Sequence, residues 1–353
     1  KSQMKIKQLK VGVIGVGHIA NLFHLPAWKK NKFCKVVSIC DTSQKQLIKV
    51  SKKFKVKSTY NDLEKMLKNE KLDILSISTS PYLHYKNIIL GAKYGCNILV
   101  EKPFVLNKIE SRKVFKVLKK RKVKCMCAMH QRFRPISTSI KKIIEKKIIG
   151  KIYYIKILRK QFRSIPAHSY VFSNKKMSGG GPLIDIGSHY FDFVCWLLNF
   201  PKIHSLKVNN FDNLSKLNVN DKKSLPFNKF NSEEFSTGLI NFKNNITVNF
   251  EMSYLLNTSE NVSKIDIYGE KGSIIWPKGE IFLINKNGFF KKSKIKLDNN
   301  FKASETQINS FVNHVRGKGK LLVKLSESEY IVDLIDYLYK SAKNKKEINY
   351  EKK

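Results

Sequence analysis

The sequence predicts an α/β protein in two parts, a parallel sheet within about the first 130 residues and an antiparallel sheet with helices after it. Three observations carry this. Short β-branched runs alternate with helix-period segments in the first third of the chain. The first of these runs ends in a glycine-rich turn. In the second half "ITVNFEMS" (246–253) alternates cleanly, with Ile246, Val248, Phe250 and Met252 on one side, the pattern of an antiparallel strand buried on one face.

Taken in order, "KVGVIGVGHIA" (10–20) is an apolar strand followed by glycines at 15 and 17 and Ala20, and then by a helix-compatible stretch that Pro26 is expected to interrupt. "KVVSICD" (35–41) is a second strand, ending in an acid. "LDILSIS" (72–78) and "NILVE" (97–101) are two more, separated by "YLHYKNIILGAKYG", helical in period and closed by Gly95 as a C-cap. A Lys-rich helix (108–122) and a strand in "VKCMCAM" complete the set. Such alternation requires right-handed crossovers and a parallel sheet. The first domain is expected to span 1–130.

The second domain, 131–353, reads differently. "KIYYIKILRKQF" (151–162) and "VSKIDIYGEKGSIIW" (262–276) are strands, and "STGLINF" runs across "KNN" into the alternating strand as a hairpin. Residues 205–232, rich in Asn, Lys and Ser, are expected to include a mobile surface loop. Ile308, Phe311, Val312 and Val315 form one helical face. Ser326 with Glu329 reads as a capping box ahead of Tyr330, Ile331, Leu334, Ile335 and Leu338. The final helix, about 326–343, is a candidate to pack back on the first domain.

Composition narrows the function. The net charge is +41, but only 7 of the 68 basic residues are Arg. Specific nucleic-acid sites lean on Arg for bidentate and stacking contacts, and here Lys is spread over the whole length beside abundant Asn, Ile, Phe and Tyr. The charge reads as codon drift, so no specific nucleic-acid partner is expected. Six cysteines without CxxC spacing read as buried free thiols of a reducing compartment. No apolar run reaches a membrane span and no signal-peptide core opens the chain, so a cytoplasmic protein with no membrane partner is expected.

Three motifs carry chemistry. Gly15-x-Gly17-x-x-Ala20 lies between a strand and a helix, and Asp41 ends the next strand, the placement of a ribose-binding carboxylate in a dinucleotide site. An acid there favours a free 2′-hydroxyl, so NAD is preferred, while Lys45 nearby keeps NADP possible. Glu101-Lys102-Pro103 ends the strand "NILVE", the sheet edge where ligands bind, and Lys102 there can stabilise an alkoxide or relay its proton. "GGGPLIDIGSHYFDF" (179–193) read as a helix from Pro182 places Asp185, Ser188, His189 and Asp192 on one polar stripe of an otherwise apolar segment. A buried polar stripe is costly unless its groups are paired or used. A metal pair at Asp185 and His189 is weighed against this, but no third ligand at matching spacing follows, so no metal is expected. Asp192 reads as a capping or salt-bridge residue.

At these residues the sequence resembles the Gfo/Idh/MocA oxidoreductases. The likeness covers nearly the whole chain and rests on "GVIGVGHIA", "STSPYLHYKNIILGAKYGCNILVEKP", "RFRP" (132–135), "GGGPLIDIGSHYFD", "IDIYGEKGSI" and the closing "SAKNKKEI". It implies an N-terminal Rossmann dinucleotide-binding domain and a C-terminal α/β domain with a large, mostly antiparallel open sheet. The open face of that sheet commonly serves oligomer contacts, so a homo-oligomer, a dimer or tetramer, is expected. It also implies that Lys102, Asp185 and His189 match the catalytic positions, with the Lys-Pro bond often cis. The expected cofactor-lining residues are Gly15, Gly17, His18, Ile19, Ala20, Asp41, Ser80, Pro81, His84, Glu101 and Lys102. His130 stands where many members carry Asn. His130, Arg163 and His168 are the candidates to touch substrate.

The reaction implied is hydride transfer between nicotinamide and a hydroxyl or keto carbon of a sugar, cyclitol or derivative, with His189 as acid/base. Two alternatives stay open: a tightly held, recycled NAD driving elimination or glycoside cleavage, and a non-catalytic sensor on the same scaffold.

Overall fold

The computed structural model describes residues 8–162, 170–214, 230–285, 287–296 and 302–350. Its contacts divide the chain into two compact units, one made of the residues up to Phe133 with Lys302–Glu329, the other of Arg134–Phe301 with Tyr330–Lys353. The sequence reading has one boundary near 130, whereas the late segment 302–329 returns to the first unit.

The first unit is built on six parallel strands, β1 (Leu9–Ile14), β2 (Cys34–Cys40), β3 (Ser58–Tyr60), β4 (Ile74–Ile77), β5 (Asn97–Val100) and β6 (Cys125–Cys127), in the order β3-β2-β1-β4-β5-β6. The order reverses between β1 and β4, and in such sheets ligands bind at that reversal, beyond the carboxyl ends of the strands. β3 is absent from the sequence reading because three half-exposed residues carry no periodic signal. The connecting helices are α1 (Leu25–Lys30), α2 (Gln44–Phe54), α3 (Leu63–Glu70), α4 (His84–Lys93) and α5 (Lys108–Arg121). Ser43, Asp62 and Asn107 cap α2, α3 and α5 by accepting from backbone N–H groups of the first turn. Pro26 does not break its helix. A π turn over Ala20–His24 precedes it, and Pro26 then sits in the first turn of α1, where a missing N–H costs nothing.

The second unit contains α6 (Pro135–Glu145), β7 (Ile152–Lys160), α7 (Tyr170–Ser173), α8 (Lys175–Ser178), α9 (Pro182–Asp185) and α10 (Gly187–Leu197). β8 (Ile203–Phe211), β9 (Phe235–Phe242), β10 (Thr247–Ser253), β11 (Val262–Gly269), β12 (Gly272–Trp276), β13 (Glu280–Ile284), β14 (Phe290–Lys294) and β15 (Ile348–Asn349) follow. Among the described residues nine strands form one sheet, β14-β13-β12-β11-β7-β10-β9-β8-β15. β7 and β10 pair in parallel, and the other pairings are antiparallel. The predicted alternation holds along β10, where Val248, Phe250 and Met252 are fully buried. At the start of the stretch read as including a loop, residues up to Phe211 form β8, because Leu206 and Val208 alternate into the core. Residues 215–229 of that stretch lie outside the described residues.

Helix α10 covers the sheet with aromatic rings. Phe191 meets Phe250 edge-on at 5.0 Å and Phe193 meets Trp276 at 5.3 Å. Lys141 closes the far end of α10, donating from Nζ to the carbonyls of Trp196 (2.8 Å) and Leu197 (3.2 Å) and to Asn199 Oδ1 (2.6 Å). A buried cation there satisfies carbonyls that the helix leaves unpaired. In the first unit Lys124 does the same for α11 (Ala303–Val315), donating to His314 O at 2.6 Å.

The last helix, α12 (Leu325–Asn344), starts two residues earlier than the predicted box allows. Ser326 and Glu329 are therefore inside it. Glu327 at the third helical position accepts instead from the Lys324 N–H at 3.1 Å and pairs with Arg132 at 2.5 Å, which draws the helix start back by two residues. Arg132 itself is fully buried and also donates to Leu322 O.

Candidate active site

In the first unit three loops meet at the carboxyl edge of the sheet. The turn after β1 places Gly15 in the left-handed region at φ +81, and a Cβ there would lie 2.6 Å from backbone atoms of Ser78 and Thr79. Glycine is required on both counts. Gly17 differs: a Cβ would meet nothing within 4 Å. Asn21 holds the turn by donating to Val16 O (2.7 Å) and Gly17 O (2.9 Å). Asp41 braces it from β2, its Oδ2 accepting from Val16 N–H at 2.8 Å and its Oδ1 from Ser43 N–H at 2.9 Å. A turn with left-handed glycine, open space at Gly17 and an acid at the end of β2 fits a dinucleotide.

His84 joins the other two loops. Its Nδ1 lies 2.8 Å from Pro103 O and its Nε2 3.0 Å from Thr79 O. The ring is fully buried, and burial lowers its pKa against the opposing pull of those carbonyls. His84, like the fully buried Ala20, therefore shapes the site from beneath. Ser80 leads into the turn Pro81–Leu83, and the Lys102–Pro103 bond is cis, as the resemblance implies.

Glu101 is the head of a hydrogen-bonded chain that sequence reasoning did not find. Its Oε1 lies 2.7 Å from His24 Nε2; His24 Nδ1 lies 3.1 Å from Ser76 Oγ, which accepts from Trp28 Nε1–H at 3.1 Å. Burial raises the Glu101 carboxyl, but the His24 hydrogen bond and the charges of His24, His130 and Lys102 bring it below the ordinary carboxylate range. The second oxygen of Glu101 accepts from the Lys102 N–H at 3.2 Å, tying the backbone of the candidate lysine to the same chain.

In the second unit α9 and α10 turn at Ile186, so the expected single helix is two pieces. Asp185 and His189 are half-buried, while Ser188 and Asp192 are fully buried and Ser188 turns its hydroxyl to Ile184 O. The stripe is thus not uniformly exposed. Only its Asp185 and His189 positions reach solvent, because the apolar faces of α10 leave the other two inside the core.

Around Asp185 lies a cluster no spacing rule announces. Tyr254, directly after β10, donates to Asp185 Oδ2 at 2.6 Å. Glu233 Oε1 accepts from Tyr339 (2.7 Å) and from the Gly181 (2.8 Å) and Leu183 (3.3 Å) N–H groups, and its Oε2 accepts from Ser232 (3.0 Å). Glu233 thereby caps α9. Burial first, and the neighbouring carboxylates second, push the hydroxyls of Tyr254 and Tyr339 well above the ordinary phenol range, so both remain donors.

The three glycines follow from this packing. Gly179 ends α8 at φ +87, a Cβ on Gly180 would collide with the Tyr339 hydroxyl, and one on Gly181 with the Glu233 carbonyl. The acid pair Glu233-Glu234 beside β9 is the one local signal that could have marked the cluster. Arg163 and His168 lie outside the described residues.

Other chemistries find less support. The six cysteines are buried, and burial pushes Cys34, Cys40 and Cys96 up to about 12, far from a working thiolate. No helix among the described residues is long and apolar enough to cross a membrane. Among them no group of three or more His, Cys, Asp or Glu is arranged to hold a metal ion.

The chain is similar to known proteins along nearly its whole length. Residues 9–129 match the oxidoreductase family described as an NAD-binding Rossmann fold, and residues 141–350 match its C-terminal alpha/beta domain. The chain is 26% identical over 351 residues to D-glucoside 3-dehydrogenase of Escherichia coli, covering 97% of each. It is 23% identical to an NADP(+)-linked scyllo-inositol 2-dehydrogenase of Bacillus subtilis, over 59% of this chain and 57% of that one. Levoglucosan dehydrogenase with NADH and levoglucosan has the same fold, with a TM-score of 0.84 at 18% identity over 98% of this chain and 100% of that one. The chain belongs to the Gfo/Idh/MocA oxidoreductase family, with an NAD-binding Rossmann domain followed by the family's C-terminal α/β domain.

Proposed function

We propose that the protein is an NAD-dependent dehydrogenase of a sugar, cyclitol or related polyol, in which His189 exchanges the proton of the reacting hydroxyl. The observation that carries this reading is the α9–α10 corner: a half-buried imidazole one turn beyond a carboxylate that a buried tyrosine holds in place. Oxidising an alcohol takes a proton from oxygen as hydride leaves carbon, and an imidazole can accept or return that proton near neutral pH. Asp185 orients the imidazole or binds a neighbouring hydroxyl, and the Lys102 ammonium favours alkoxide character on the reacting oxygen.

NAD, when bound, supplies the hydride acceptor, or the donor in the reverse direction. Gly15, Gly17, His18 and Ile19 would hold its pyrophosphate side, Asp41 its ribose, and Ser80, Pro81, Glu101 and Lys102 the remainder. The Asp41 carboxylate favours NAD over NADP. The names of the E. coli and B. subtilis relatives support a polyhydroxylated substrate.

The test mixes the protein with NAD+ and methyl β-D-glucoside, scyllo-inositol or levoglucosan and follows NADH absorbance. NADH should form with at least one of them, and His189→Ala should lower its turnover about a hundredfold or more while NAD+ affinity stays within about twofold. Full turnover by that variant would refute the acid/base role. Product without net NADH would replace this reading by the recycled-cofactor one.

A further inference from the structure

We propose that Tyr254 is a positioning residue for the reaction, holding the Asp185 carboxylate through its hydroxyl so that it meets substrate and imidazole in one orientation. The inference rests on the reading that Asp185 takes part in the reaction. Asp185 is the last residue of α9, at the turn before α10, where the helix frame alone does not settle the direction of a short side chain. The Tyr254 hydroxyl supplies that direction at 2.6 Å.

Tyr254 is itself fixed. It is 1% exposed, its N–H donates to Glu234 O at 2.8 Å, and its ring meets Phe230 edge-on at 6.4 Å. Its hydroxyl keeps its proton because Asp185, Glu233 and Tyr339 all oppose a phenolate in that buried place. The two tyrosine–carboxylate pairs of the cluster then divide the work. Glu233 receives two backbone N–H groups, a serine and Tyr339, and so serves as the cap of α9. Asp185, which is half-buried, receives Tyr254 and presents the reactive carboxylate. A hydrogen bond to an ionised group is worth more than a neutral one and narrows its geometry, which is the contribution a reaction step needs.

The experiment is a cycle of Tyr254→Phe, Asp185→Asn and the double variant, assayed with NAD+ and the polyol of the panel above that wild type oxidises fastest. Tyr254→Phe should lower kcat about ten- to hundredfold with KM and NAD+ affinity little changed. The double variant should be no slower than Asp185→Asn, because Tyr254 acts only through that carboxylate. Thermal midpoints of the four proteins should show the same coupling without any substrate.

Multiplying rate effects, or an unchanged kcat in Tyr254→Phe beside a crippled Asp185→Asn, would overturn the positioning role alone. Full turnover by Asp185→Asn would instead refute the reading it rests on. Should Tyr254→Phe fail to fold, ortho-fluorotyrosine at 254 keeps shape and hydroxyl but donates more strongly. With the donor kept, its kcat should stay within about threefold of wild type, and a fall of about tenfold or more would overturn the proposal.

Discussion

Gly15 and Gly17 stand two residues apart in one turn, yet the structure assigns them different work. Gly15→Ala places a side chain at φ +81, which costs about 1 kcal/mol, and sets its Cβ 2.6 Å from three backbone atoms of Ser78 and Thr79. Backbone cannot swing aside as a flexible side chain can, and overpacking of this kind costs about 1–3 kcal/mol. The sum, about 2–4 kcal/mol, corresponds to a fall in thermal midpoint of about 5–15 °C for a unit of this size. Gly17→Ala meets nothing within 4 Å and needs no left-handed backbone, so its midpoint should fall by about 2 °C or less. The same methyl group would, however, occupy the space through which a pyrophosphate approaches the turn, and NAD+ affinity should drop about tenfold or more. Differential scanning fluorimetry without cofactor and calorimetric titration with NAD+ separate the two effects. If Gly17→Ala bound NAD+ like wild type, the turn would not be the pyrophosphate cradle. If Gly15→Ala melted like wild type, the packing of the turn on Ser78 would be wrong.

Asp41→Asn removes the charge and leaves one acceptor oxygen for the two N–H groups of Val16 and Ser43, so titration with both dinucleotides should show the NAD+/NADP+ preference falling several-fold; an unchanged ratio would remove Asp41 from the ribose site. Glu233→Ala strips the cap of α9 and leaves the Tyr339 hydroxyl and the Gly181 N–H without that acceptor, and urea unfolding should lose about 2–4 kcal/mol. The Glu101 carboxyl lies below its ordinary value in the folded protein. The stability it contributes is therefore fully present above the ordinary carboxylate range of about 4.5 and is lost as pH falls through the lower folded value. Denaturation midpoints of wild type and Glu101→Gln should differ at neutral pH and converge in acid; a gap that widened on acidification would contradict the His24–Glu101 assignment.

Periodicity and turn chemistry made most of the scaffold legible. The runs at 10, 35, 72, 97 and 125 all became neighbouring parallel strands, and the alternation at 246–253 became β10 with its expected buried face. Elements with little repeat escaped: β3 is three residues long, and β8 ran into polar sequence that reads as loop. Cap assignment failed at α12 because Lys324 is not a capping residue type, and it is the pairing with Arg132 that draws Glu327 to the third helical position.

By itself the sequence determined the glycine turn, the acid at the end of the second strand, the lysine after the fifth strand and the carboxylate–imidazole pair at 185 and 189, because each depends on neighbours within a turn or a strand. Only the tertiary structure decided that Glu233, Tyr254 and Tyr339 gather beside Asp185, and that His24 and Ser76 stand behind Glu101. Those contacts join residues about 70 to 100 positions apart in the second unit and about 50 to 80 apart in the first. A polar group that must be satisfied once buried takes its partner from whichever strand the packing brings near, and no local pattern encodes that choice.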